Sequence, residues 1–303
     1  MEFKQLEAFV NVIRYKSFSK AAEATYLTQP TISTHISSLE KELGVKLIDR
    51  RGKESRPTKH GRAFYNYAVN IINTRERAMM AMKDFDADIS GVIEIKTSSI
   101  PGQFIVPELI SGFHRKYPHV IFNVEQSDSD KVWSDILDNL GDIGFTGSFE
   151  DNSLKCELIF KDKLVLVTPA NSKFEKLKKE GSAISYRDII QEDFIWREEG
   201  SATRKTFEKW FRSKDGRELN TVAVVNSVEG IKACVSQGLG VSVMALSAVK
   251  TEMDNSYGGI LVFEFSDVDL EREFYMVYNK NTTLSPAASK FRDYVEEKYI
   301  SRQ

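Results

Sequence analysis

The chain has 303 residues, 41% of them hydrophobic, 28% charged, with a net charge of −2. That length allows two or three globular domains, and no apolar run approaches the roughly 18 residues a spanning helix needs, so no membrane partner is expected. The charge is unevenly spread: residues 1–62 carry 12 Lys and Arg against 7 Asp and Glu, the rest 30 against 37, a basic head on an acidic body, as phosphate binding requires.

Leu6, Phe9, Val10 and Ile13 recur at helical spacing and predict a first amphipathic helix from Glu2 to Tyr15. Ser17 is placed to cap a second, Phe18 to Tyr26, whose Ala21–Ala22 pair permits close packing. Thr28 caps a third, with Pro30 in its first turn, where the missing N–H costs nothing. Ile32, Ile36, Leu39 and Leu43 give that helix a buried side, and Gly44 ends it in the left-handed position. Its other face carries Gln29, Thr31, Ser33, Thr34, His35 and Ser38, short polar groups near the helix start where a recognition helix meets base edges; Ser19, Thr28 and Pro30 lie beside them. The stretch 47–57 then predicts two short strands about a glycine turn, a wing whose Arg50, Arg51, Lys53 and Arg56 can reach phosphates or the minor groove.

Ala21-Ala22, Leu27-Thr28-Gln29-Pro30, Ser33, Ile36, Leu39-Glu40, Leu43-Gly44, Leu47, Arg50, Thr58 and Gly61 together resemble the signature of LysR-type transcriptional regulators. Ile48 stands where that family usually has Phe, and His60 where a small residue is commoner. The expected head is a winged helix-turn-helix over residues 1–58 that binds double-stranded DNA.

A long helix capped by Thr58 is expected to run to about Asp88, and thirty residues span roughly 45 Å. Gly61, Phe64, Ala68, Ile71, Ala78, Met82 and Phe85 alternate by three and four along it, interrupted by Arg75. This is the pattern of a seam between helices. Residues 59–90 are therefore expected to pair two copies, and a helix packed on its own chain is the competing arrangement. The resemblance implies pairing through this linker and assembly to a dimer or tetramer. Two-fold pairing implies a pseudo-palindromic promoter site.

From Gly91 onward strand and helix patterns alternate, predicting an α/β body with parallel strands. Strands are expected at 92–97, 120–125, 142–145, 158–168, 194–196, 222–225, 241–244, 259–265 and 273–278, before a last helix at 286–299. The effector-binding domain is taken as 91–303, with lobe I at 91–168 and 267–303 and lobe II at 169–266. That is the two-lobed, periplasmic-binding-protein-like arrangement to which LysR-type effector domains are similar. Ligands of such sheets lie beyond the strand carboxyl ends. On that logic Ser98, Ser99, Ile100, Gly102 and Gln103 follow the first strand, and Thr146 and Gly147 end another. Glu199, Ser201, Thr203, Arg204, Asn226 and Ser227 would face them from the second lobe. Free N–H groups and hydroxyls there suit an oxyanion or carboxylate. The segments 98–102 and 198–204 resemble the branch holding the cysteine-regulon regulators and a group associated with selenium metabolism, which implies a small sulfur- or selenium-related effector or an inorganic anion. The proline usual after the Gly-Leu-Gly strand is replaced here by Met244-Ala245-Leu246.

Cys156 and Cys234 lie far apart in a chain whose start lacks a signal-peptide layout, so reduced thiols and a cytoplasmic location are expected. His35, His60, His114 and His119 show no metal spacing, and neither a phosphate-binding glycine loop nor a nucleophile elbow appears. No cofactor, no metal and no enzymatic activity are expected. The leading reading is a regulator whose promoter binding responds to a small molecule. The alternative is a solute-binding or catalytic α/β domain with a helical head used only for assembly.

Overall fold

The computed structural model describes residues 1–50, 55–82, 89–147, 152–181, 183–215, 217–250, 259–266 and 270–299. The head packs α1 (Phe3–Tyr15), α2 (Phe18–Ala24) and α3 (Gln29–Leu43) around Phe9, Val12, Ala21, Ile32, Ile36 and Leu39. The side chains of Ser17 and Thr28 accept from the amides of Lys20 and Thr31, and Gly44 closes α3 at φ 68°. A short antiparallel pair, β1 (Ile48–Asp49) with β2 (Arg56–Pro57), forms the base of the wing. Its start is pinned by the buried Glu40, whose carboxylate accepts from the amides of Leu47 (2.9 Å) and Ile48 (3.2 Å) and from Lys46 (2.6 Å).

The linker helix α4 (Lys59–Ala81) follows, capped by Thr58. Its seam departs from expectation. Ala68 is wholly buried and Phe64 and Ile71 half-buried, all three packed on the head's own core, with the Phe64 ring 5.6 Å from that of Phe9. Arg75 turns to the same side and stacks over Phe3 at 4.6 Å. A stripe spaced by threes and fours says that one helix face is covered, not by what, and here the chain's own α1 covers its first half. Of the residues expected in the seam, Ala78 and Met82 remain exposed, and Phe85 lies outside the described residues.

The body continues with β3 (Gly91–Ser98), α5 (Ser99–Phe104), α6 (Val106–Lys116), β4 (Val120–Ser127), α7 (Ser129–Leu137), β5 (Ile143–Thr146) and β6 (Lys155–Pro169). Next come α8 (Ser172–Lys179), β7 (Phe194–Trp196), α9 (Ala202–Lys214), β8 (Thr221–Val224), α10 (Val228–Ser236), β9 (Ser242–Ala245), β10 (Ile260–Phe263), β11 (Glu271–Tyr278) and α11 (Pro286–Tyr299). Strands β4, β3 and β5 run parallel, but β11 pairs antiparallel to both β5 and β6, so the sheet is mixed rather than parallel throughout. The long β6 belongs to both lobes: its first part, to Lys163, pairs with β11, and from Leu164 on it pairs with β9 and β10. The crossover thus falls inside the strand rather than after Thr168. Ile93, Phe113, Phe145, Met276 and Phe291 fill lobe I, and Phe174, Phe194, Phe207, Phe211 and Phe263 fill lobe II. Cys156 and Cys234 are thiols, not joined in a disulfide. Among the described residues no helix is long and apolar enough to cross a membrane, and no group of three or more His, Cys, Asp or Glu could hold a metal ion.

Candidate DNA-binding face and effector cleft

The periodicity that buries Ile32, Ile36 and Leu39 leaves the other side of α3 facing out. Gln29, Pro30, Thr34 and Ser38 are exposed, while Thr31, Ser33 and His35 are half-buried. Several of these groups are held by each other. Ser19 donates to Gln29 (3.2 Å), Thr28 and Thr31 share a hydrogen bond (2.9 Å), and Thr34 donates to the Pro30 carbonyl (3.0 Å). From the wing, Arg50 donates to the Ser33 hydroxyl (3.2 Å) while its guanidinium lies 4.6 Å over the Phe18 ring. Arg56 is exposed on the second wing strand; Arg51 and Lys53 lie outside the described residues. Ser37 and Lys41, which the sequence reading passed over, share an open groove with Ser33, Thr34 and Ser38.

In the body, the ends of β3, β7 and β11 meet at a cleft reduced to a cavity of about 20 Å³, room for a single water. Ser98, Ser99, Ser201 and Thr203 line it, as expected, and all four are buried. Thr146 is buried nearby, and a Cβ on Gly147 would meet the Arg272 guanidinium, which would have to move. Ile100 is in the lobe I core, and Gly102 packs on Thr97. The remaining candidates lie outside this cavity. Gln103 and Glu199 are exposed and line no part of the cavity. Arg204 points the other way, to Glu208 (2.8 Å) and the Arg197 carbonyl (3.0 Å), beside a separate outer pocket. Asn226 and Ser227 are exposed, and Ser227 merely caps α10 by accepting from Gly230 (3.2 Å). A strand end supplies a cap for its helix whether or not a ligand sits there, and the spacing alone does not separate the two uses.

Two arginines dominate the cavity instead. Arg197 donates to Ser99 (2.9 Å) across the lobes and makes a two-pronged pair with Glu198 (2.7 and 2.8 Å). Arg272, only 4% exposed, donates to Thr203 of lobe II and to the Gly147 carbonyl (3.0 Å), with its guanidinium 4.8 Å over Phe274. It has no carboxylate within ion-pair distance among the described residues. Asp162, opposite it on β6, instead accepts from the amides of Lys163 and Ser247. Burial, resisted by Asp162 and aided by Arg197, drags the guanidinium down to about 10. One sequence signal pointed to it: Arg272 shares the buried parity of β11 with Phe274 and Met276, where alternation calls for an apolar residue. On the rim the exposed Lys205 bridges to Asp130 (2.6 Å), from α9 to α7 across the lobes.

Known proteins match both halves. Residues 3–62 match the bacterial regulatory helix-turn-helix protein of the lysR family, and residues 86–299 match the LysR substrate binding domain. An HTH-type transcriptional regulator of Methanocaldococcus jannaschii is 32% identical over 95% of this chain and 96% of its own. The chain belongs to the LysR family. Similar to it as well are the transcriptional activator CmpR of Synechocystis, 30% identical over 96% of this chain and 93% of its own, and CysL of Bacillus subtilis, 26% identical over 92% and 91%. Among solved structures, a full-length OxyR variant of Pseudomonas aeruginosa superposes with TM-score 0.79 at 21% identity, covering 98% of this chain and 95% of that one. CbnR bound to its target DNA gives 0.60 at 20%, covering 98% and 99%. These likenesses carry the fold: a helix-turn-helix head on a two-lobed body resembling periplasmic binding proteins. The LysR-type chain is thus a transcriptional regulator with a DNA-binding head and an effector-binding domain, and not an enzyme. A head serving assembly alone is set aside.

Proposed function

We propose that this regulator binds a small anion in the interlobe cleft and that the anion tunes how its paired heads hold a pseudo-palindromic promoter site. The single observation behind the anion is Arg272, a buried guanidinium without a carboxylate at ion-pair distance among the described residues. A buried charge of that kind costs several kcal/mol unless something compensates it. Ser98, Ser99, Ser201 and Thr203 would supply hydroxyls, and Arg197 a second charge already shared with Glu198. Gln29, Thr31, Ser33, Thr34, His35 and Ser38 are assigned to base edges; Ser19, Thr28, Pro30, Arg50 and Arg56 to the backbone or its positioning, with Arg51 and Lys53 completing the wing. Pairing is assigned to the exposed end of α4 around Ala78, Met79 and Met82, giving a dimer or a higher oligomer in the cytoplasm.

A melting-temperature screen of sulfate, thiosulfate, selenite, selenate and O-acetylserine against matched chloride tests the reading. A ligand at roughly 100 times its dissociation constant adds about 2.7 kcal/mol to the folded state. At least one of the oxyanions, not the zwitterionic O-acetylserine alone, is expected to raise the melting temperature. A flat panel, or a response to cationic ligands alone, counts against an anion site.

A further inference from the structure

Three asparagines of the linker, Asn66, Asn70 and Asn73, fall at spacings of four and three and so share one helix face. Asn66 is exposed, Asn70 half-buried and Asn73 buried, and all three are hydrogen-bonded to the body. Asn66 accepts from the Asn139 side chain (2.7 Å), and Asn73 donates to the Thr283 carbonyl (2.6 Å). Asn70 both donates to the Asn281 carbonyl (3.2 Å) and accepts from the Thr283 amide (2.6 Å), so it reads a backbone segment as a strand partner would. Asn139, in the left-handed region at φ 55°, also accepts from Thr282 (2.6 Å), and its carbonyl accepts from the buried Tyr65 hydroxyl of the linker (3.3 Å). One turn of the body (137–142) and one loop (279–283) are thereby tied to each other and to α4.

The head adds a charged contact. Arg14, in the last turn of α1, reaches Glu94 of β3 at 3.8 Å. Beside Glu94 sits Asp142, whose backbone and carboxylate are both engaged by it: the Asp142 amide donates to the Glu94 carbonyl (2.8 Å), and the Glu94 amide donates to the Asp142 carboxylate (2.9 Å). The acid pair is thus held by hydrogen bonds within the body as well as by Arg14. Leu140, from the same turn, packs into the head's apolar core. Every one of these contacts lands on lobe I, none on lobe II.

We propose that Arg14 and the Asn66–Asn70–Asn73 face are positioning residues for DNA binding. They seat the winged head and the linker on lobe I of the same chain, so that these three travel as one body and ligand-driven movement enters through lobe II. Paired side-chain-to-backbone hydrogen bonds with a partly buried ion pair fix orientation, because breaking either leaves desolvated groups without partners. A head free to swivel would accept half-sites at varied spacings, whereas a seated one imposes a single geometry.

The test uses the full chain with Cys156 and Cys234 replaced by serine and spin labels on Glu23→Cys of the head and His114→Cys of lobe I, diluted into an excess of unlabelled protein. The expected result is one narrow distance distribution, comparable to a control pair within lobe I at His114→Cys and Lys290→Cys. The triple variant Arg14→Ala, Asn70→Ala, Asn73→Ala is expected to broaden it about twofold or more, with Arg14→Lys alone leaving it narrow. In parallel, on a duplex selected from random DNA, a half-turn insertion between half-sites is expected to weaken the parent protein about tenfold and the triple variant about threefold or less. A purely structural role would lower stability without changing this spacing preference. If the triple variant does not fold, Asn70→Ala alone is read in the same two ways. A broad distribution in the parent, or a folded variant that stays narrow and selective, overturns the proposal. Failure of the parent to bind any DNA would instead strike the DNA-binding reading, while the label distances would still judge the seat.

Discussion

Arg50 on the wing and Arg272 in the cleft both carry a guanidinium stacked over a phenylalanine ring and hydrogen-bonded to a hydroxyl. Arg50 is exposed, so its charge costs little in water and gains from phosphate through counterion release. Arg272 is buried, and its hydrogen-bond partners among the described residues, Thr203 and the Gly147 carbonyl, are neutral. The same chemical group is therefore a salt-dependent contributor in one region and a stored electrostatic deficit in the other. An anion in the cleft removes that deficit; an anion at the wing simply replaces counterions. Mutation should separate the two.

The largest effect is expected at the cleft. Arg272→Met keeps much of the volume and removes the uncompensated charge, so the anion-dependent rise in melting temperature should disappear altogether. The anion-free protein should melt higher by roughly 2–4 °C, since replacing a buried ion with an apolar residue is often stabilising by about 1 kcal/mol or more. Calorimetry with and without the responding anion reads both. A variant that still responds would move the anion seat elsewhere, and one that melts much lower would make Arg272 a structural tie between Thr203 and Gly147.

Arg50→Ala should act quite differently. Its melting temperature should stay within about a degree, as for most exposed substitutions. Affinity should fall for all duplex sequences alike, with the slope of log affinity on log salt reduced by roughly one unit. Filter binding across a salt series measures this. Because Arg50 also holds the Ser33 hydroxyl, a selective loss at one base position would show that its main task is to orient the recognition helix.

How far each region was readable follows from the same contrast. The head was legible almost to the residue because a 3.6-residue period, Ser17 and Thr28 as caps and Gly44 as a stop all agree locally. Lobe strands were placed to within a few residues for the same reason, but their directions were not: nothing in β11 itself announces that it returns antiparallel. The cleft was half legible. Ser98, Ser99, Ser201 and Thr203 follow strands and line the cavity, while Asn226 and Ser227, picked by that same logic, lie outside it. Arg272 was missed because it sits in mid-strand, where a charge is an exception to alternation rather than a motif. The linker misled in both directions. Ala68 faces the chain's own core instead of a second copy, and Asn66, Asn70 and Asn73 look like a solvated face until the loops they bind are folded beside them. Side-chain pattern gives the buried face of an element; its partner is a tertiary fact.

The smallest expected effects concern two carboxylates, one in the head and one at its contact with lobe I, with opposite pH responses. In the head, burial pushes the Glu40 carboxyl up, but hydrogen bonds from Lys46, Leu47 and Ile48 outweigh it and hold it below its ordinary value. A group with a depressed folded value stabilises the fold above its unfolded pKa, about 4.3 for Glu, and that support is lost as pH falls through the folded value. Against lobe I, burial raises the Asp142 carboxyl, offset in part by Arg14 and the Glu94 amide. A raised value reverses the sign: the contribution is complete below the unfolded pKa of about 3.9 and is lost as pH rises through the folded value. Urea midpoints by circular dichroism should therefore show Glu40→Gln flattening the loss of stability on the acid side of about pH 4.3, and Asp142→Asn flattening a loss on the way up from about pH 3.9, each by about a few tenths of a molar. If Asp142→Asn instead lowers the midpoint equally at every pH, its carboxylate is charged throughout and serves Arg14 as a plain counter-ion. The head would then be seated by an ion pair indifferent to pH in this range.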